Sequence, residues 1–143
     1  MKTITSILIL VSLFVFNISA NETVEFNPDL NFAQVEFVKA VQSSNNSWSF
    51  SVTVRHNDEG WDHYADLWEV IDPDTEEVLA ERILAHPHET EQPFTRSQSR
   101  IVFPEGQRYV LVRAKCRLHG YEGKTVLLDL ESEESEDYTL ISR

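Results

Sequence analysis

Ser47 to His56 reads SWSFSVTVRH, with Trp48, Phe50, Val52 and Val54 on one side of a two-residue period and Ser49, Ser51, Thr53 and Arg55 on the other. Only an extended chain turns successive side chains to opposite faces, so this stretch predicts a strand with one face in a core and one in water. Outward from it, short segments of the same kind recur, separated by turn residues. They predict strands at about Ala33 to Val41, Trp48 to Arg55, Asp66 to Asp72, Val78 to Ala85, Phe94 to Phe103, Arg108 to Arg117 and Thr125 to Leu130. No segment sustains a helical period.

Seven short strands within one domain predict an all-β, seven-stranded antiparallel sandwich of immunoglobulin or fibronectin type. Three regions are expected. Residues 1–20 carry one charge at Lys2, an apolar run from Ile7 to Phe16 and a small residue at Ala20, the pattern of an export signal. Residues 21–130 form the sandwich. Residues 131–143, ESEESEDYTLISR, are expected to be an acidic, solvated C-terminal tail. The chain is therefore expected to be periplasmic or secreted, as a monomer or dimer.

Twelve basic residues against 24 acidic ones give a formal charge of -12, and loss of Lys2 with the leader makes it one unit more negative. Such a balance excludes nucleic acid and membrane lipid as expected partners and suits cations. A lone cysteine, Cys116, allows no internal disulfide. No nucleotide-binding or hydrolase motif is present, and nothing marks the chain as an enzyme or excludes it.

In an antiparallel sandwich each connection reverses the chain, so successive loops fall at alternate ends. One end then collects three short connections, SSNNS, DPDTEE and PEGQ. The other collects HNDEGWDHYA, HPHETEQP and LHGYEG, and with them every histidine: His56, His63, His86, His88 and His119. Imidazole and thiolate are the donors that borderline transition metals prefer, and a site needs several of them from different segments. We therefore expect a transition metal ion, copper or iron with zinc as a structural variant, held by His63, His86, His88 and His119, with Cys116 and His56 as further donors. Asp58, Asp62, Asp66, Glu89 and Glu91 are expected to orient ring N–H groups or to act as weaker ligands. Cys116 continues the alternation of Val110, Val112 and Ala114, so it reads equally as a small core residue. Trp61, Tyr64 and Tyr121 are packing anchors or the walls of a ligand pocket. Arg96 draws an anion or pairs with a carboxylate. The reading from another class is a metal-free interaction module that binds an unknown protein or a glycan through the same loops.

CRLHG, residues 116–120, resembles the C-x-x-H-G segment of desulfoferrodoxin-type superoxide reductases, and HNDEGWDHY, from His56 to Tyr64, is similar to their H-x5-H-Y segment, with six residues in place of five. Those proteins hold a mononuclear iron with four His and one Cys on an immunoglobulin-like sandwich, so the resemblance implies redox chemistry on superoxide. Their first histidine, near the N-terminus, has no counterpart, because no His precedes His56. Over most of its length after the leader the chain resembles small exported bacterial proteins of unassigned function that share GWDHYAD, HPHxxEQPFTRS and a late HG segment. A likeness to cupredoxins is weakened by the absence of any Met after Met1.

Overall fold

A computed structural model describes residues 23–143, so the expected export signal lies outside the described residues. Among the described residues there are eight strands: β1 Gln34–Gln42, β2 Trp48–Arg55, β3 Ala65–Ile71, β4 Val78–Ile83, β5 Phe94–Ile101, β6 Tyr109–Cys116, β7 Val126–Asp129 and β8 Tyr138–Ser142. They form two four-stranded sheets, in the orders β5-β2-β1-β8 and β4-β3-β6-β7. No helix among the described residues is long and apolar enough to cross a membrane.

The alternation that opened the sequence reading is realised in β2. Trp48, Phe50, Val52 and Val54 are buried while their neighbours are half-exposed. Opposite them, Trp68, Val70, Val110, Val112, Ala114, Val126 and Leu128 from the second sheet close the same core. Burial of these large apolar side chains is the main favourable contribution to folding. On the outer face of the first sheet the small hydroxyl residues pair across β2 and β5, Ser51 with Ser97 and Thr53 with Thr95, each at 2.8 Å. Such cross-strand pairs add modestly to a sheet and keep its solvent face polar.

Two expectations are corrected. The strand count is eight rather than seven, and the sheets are not wholly antiparallel, because β8 runs parallel to β1 from Val38 with Tyr138 to Gln42 with Ser142. The segment expected to be a solvated tail thus ends in a strand. Its acidic part, 131–137, forms turns that return the chain, and Tyr138 and Leu140 then point inward, 5% and 7% exposed. The physical reason is twofold: two apolar residues spaced by two reach the core, and the edge of β1 would otherwise leave its backbone groups unpaired.

The third histidine-bearing loop is clamped to the start of the domain. Gln34 lies buried under it and accepts the Lys124 N–H, while Val35 N–H donates to the Lys124 carbonyl at 2.8 Å. A Cβ on Gly123 would sit 1.9 Å from the Ala33 carbonyl oxygen. Gly123→Ala is accordingly expected to lower stability by about 1–3 kcal/mol, since the obstruction is backbone and cannot rotate aside. Urea unfolding measures it, and an unchanged midpoint would show that the loop lifts off Ala33 at no cost.

Candidate metal centre

Three loops and the N-terminal lead-in meet at one end of the two sheets. In the first loop Gly60, at φ +88°, permits a tight turn in which Glu59 N–H donates to the His63 carbonyl at 2.8 Å. That turn brings the His63 ring back to 4.9 Å from His56. In the third loop Gly120, at φ +72°, closes a two-way backbone bridge with Cys116, with N···O distances of 2.8 and 2.9 Å. The C-x-x-H-G spacing has its physical meaning here. The glycine at the left-handed position folds residues 116–120 over, and His119 Nδ1 comes to 3.4 Å from Cys116 Sγ. The His63 and His119 rings are 5.0 Å apart, edge to face.

One ring nitrogen each of His56 and His63, and the Cys116 sulfur, lie within 4.8 Å of one another. All three residues are buried: Cys116 is 0%, His56 1% and His63 9% exposed. His119 is exposed and forms the solvent-side wall. A tetrahedral ion with bonds of about 2.0–2.3 Å spaces its ligand atoms roughly 3.3–3.8 Å apart, so side-chain rotations of about an ångström would close these donors on one ion. The donors differ in readiness. His63 points Nδ1 at Glu59 Oε2, 3.4 Å away, and its Nε2 is buried without a hydrogen-bond partner among the described residues. A ring held by a carboxylate on one nitrogen and bare on the other is oriented as a ligand. His56 is fully engaged, Nδ1 with Asp58 Oδ1 at 2.6 Å and Nε2 with the Asn31 carbonyl at 2.9 Å. Both partners are acceptors, so His56 would join an ion only by releasing one of them.

Asp58 is the element that joins the loops. Its side chain is 0% exposed. Oδ1 accepts from His56 and from the Ala65 N–H at 3.0 Å, and Oδ2 accepts from the His88 N–H at 2.6 Å. Burial pushes its carboxyl up. The hydrogen bonds from His56, His88 and Ala65, with the charge of His56, outweigh that and hold it below the usual carboxylate value.

His86 and His88 form a second pair, with ring centroids 4.5 Å apart. They belong to the same end of the molecule but are reached from the first cluster through Asp58, whose Oδ2 is 3.8 Å from His88 Nδ1. Neither belongs to the close His56, His63 and Cys116 group. Tyr64 is buried beside Trp61, which is 63% exposed. Tyr121 turns away from the cluster and lies under Arg113, 4.1 Å from the guanidinium, where burial and the Glu69 carboxylate push its hydroxyl up to about 12.

Asn31, Glu59 and Gln92 were not legible as site residues. Gln92 links two loops by accepting the His56 N–H and donating to the His88 carbonyl. Glu59 alone had a local signal, its position four residues before His63 in a Gly-containing turn.

No family model matches the chain, and no solved structure matches it. A protein of Halomicrobium mukohataei described provisionally as a lipoprotein is similar to it, 41% identical over 113 residues. The alignment takes in 79% of this chain, which spans about half of that relative, 55% of its length.

Proposed function

We propose that the chain is an exported protein that binds one transition metal ion, copper or iron, through His63, Cys116 and His119, with His56 as the fourth donor once it leaves Asn31. The observation that carries this reading is the His63 Nε2 atom, buried without a partner among the described residues, on a ring that has one nitrogen within 4.8 Å of the buried Cys116 sulfur. An unsatisfied buried nitrogen costs stability unless something occupies it, and a metal ion supplies that partner. Export is supported by the lipoprotein description of the relative and by the leader-like first 20 residues. An immunoglobulin-like sandwich is supported by the strand order, three strands β5-β2-β1 facing four, with β8 added at the edge.

The depth of three donors favours an ion that is stored, delivered or used as a brace. The CRLHG turn and the exposed His119 favour a redox role similar to that of superoxide reductases, in which one electron and two protons convert superoxide to hydrogen peroxide. When bound, the ion supplies that electron transfer, while the protein orients the donors and excludes water from all but the His119 side.

Elemental analysis of protein from its native compartment is expected to find about one equivalent of copper or iron, falling to near zero in a His63→Gln, Cys116→Ser variant. Thiolate bound to Cu(II) or Fe(III) absorbs strongly in the visible, so Cys116→Ser alone is expected to bleach the oxidised protein. A colourless, metal-free wild type would favour the interaction reading, which the exposed Trp61 supports.

A further inference from the structure

A small cavity of about 90 Å3 opens where edge strand β4 of one sheet meets edge strand β5 of the other, beside the His86-Pro87-His88 turn. One water needs roughly 10–15 Å3, so the space takes a solute of several heavy atoms but no nucleotide or sugar. Among the described residues its wall contains Arg82, Arg96, His86 and His88 and no carboxylate. In a chain with twice as many acidic as basic residues, that composition is the reverse of the overall balance.

Two of these side chains also have unfilled donors among the described residues. His88 is 5% exposed, and neither of its ring nitrogens has a hydrogen-bond partner. Arg82 Nε is buried without one. The ring of His88 is held in place by stacking on Phe94, centroids 3.9 Å apart and planes 10° from parallel. Arg96 is braced by Glu91, at 3.1 and 3.3 Å, and lies 5.5 Å over the same Phe94 ring. Burial, then the charges of Arg96 and His86, hold the His88 imidazole below its usual value, against the opposing pull of Asp58 and Glu91. The charged groups in the cavity wall are the guanidinium groups of Arg82 and Arg96. Two guanidinium groups, charged at any working pH, repel a metal ion from this space and attract an anion.

We propose that this cavity is a binding site for a small oxyanion, of the size and charge of phosphate or sulfate, whose oxygens accept hydrogen bonds from Arg82, Arg96 and His88. The planar fork of Arg82, with the Arg96 N–H groups that Glu91 and the Thr95 carbonyl leave free, suits an anion with several acceptor oxygens better than a halide. The site stands on its own residues and does not depend on a metal at Cys116.

Nuclear magnetic resonance on the isotopically labelled, otherwise native protein tests it. The ring signals of His88 and the Nε–H signal of Arg82 are followed during titration with inorganic phosphate, sulfate or acetate, each against sodium chloride at matched ionic strength. Saturable shifts with phosphate or sulfate, absent with chloride, are expected. Arg82→Gln is expected to weaken the affinity about ten- to a hundredfold, the worth of one charge-assisted bond, with the rest of the spectrum unchanged. Arg96→Gln should weaken it similarly, which guards against a misfolded first variant. Saturation by acetate but not phosphate would support the same donors with a carboxylate-bearing ligand. Shifts that only follow ionic strength, that persist in Arg82→Gln, or that arise with zinc in place of an anion overturn the proposal.

Discussion

Asp58→Ala is expected to cost the metal-free protein about 3–5 kcal/mol, a large part of the stability of a domain this size. The carboxylate is fully buried and holds the His56 ring, the Ala65 N–H and the His88 N–H at 2.6, 3.0 and 2.6 Å. Removing it strands all three donors in a site water does not reach, and each unsatisfied buried donor costs about 1–3 kcal/mol. Urea unfolding should show the midpoint fall by a molar or more. A loss under about 1 kcal/mol would mean that the loops are held together by other contacts.

The same residue sets part of the acid limit. Its proton is bound less readily in the folded chain than at the ordinary value of 3.8, so its contribution is complete above that pH and is lost as pH falls from there through the lower folded value. His88 acts earlier. Its folded value lies below 6.5, so acidification from about pH 6.5 protonates the unfolded chain first and stability begins to decline there. Asp58→Asn is expected to remove the lower step and leave the upper one.

The second large effect is metal-induced. An ion at about 100 times its dissociation constant should add about 2.7 kcal/mol to the folded state at pH 7.5, on the order of ten degrees in melting temperature. The gain should fade by pH 5.5, because imidazoles ordinarily titrate near 6.5 and must be neutral to bind. His63→Gln with Cys116→Ser is expected to abolish the gain. His86→Asn with His88→Asn is expected to keep most of it, since that pair stands apart from the His56, His63 and Cys116 group. Melts with copper, iron and zinc check both variants. A lost gain in the second variant would move the ligands to the His86-Pro87-His88 turn.

Much of the architecture follows from local pattern. SWSFSVTVRH could bury one face only as a strand, and β2 occupies Trp48–Arg55 as its alternation required. The parity of the connections was enough to bring the three histidine-bearing loops to one end, where Asp58 touches His88 and His63 touches His119. β8 escaped that reading because seven residues of acidic turn precede Tyr138, and average composition hides two apolar positions that pair with an edge far off in sequence.

Sequence by itself determined an all-β chain, the inventory of donors and the end of the molecule where they gather, because side-chain period and chain reversal are local properties. Only the tertiary structure decided which donors meet. The separation of His63, Cys116 and His119 from His86 and His88 depends on where Asp58 is buried, and the cationic cavity depends on Arg82 of β4 facing Arg96 of β5 from the other sheet. Arg82 and Arg96 are 14 positions apart, Asp58 and His88 30, and His63 and His119 56, and no pattern along the chain encodes the distance between two loops that are brought together by the packing of a shared core.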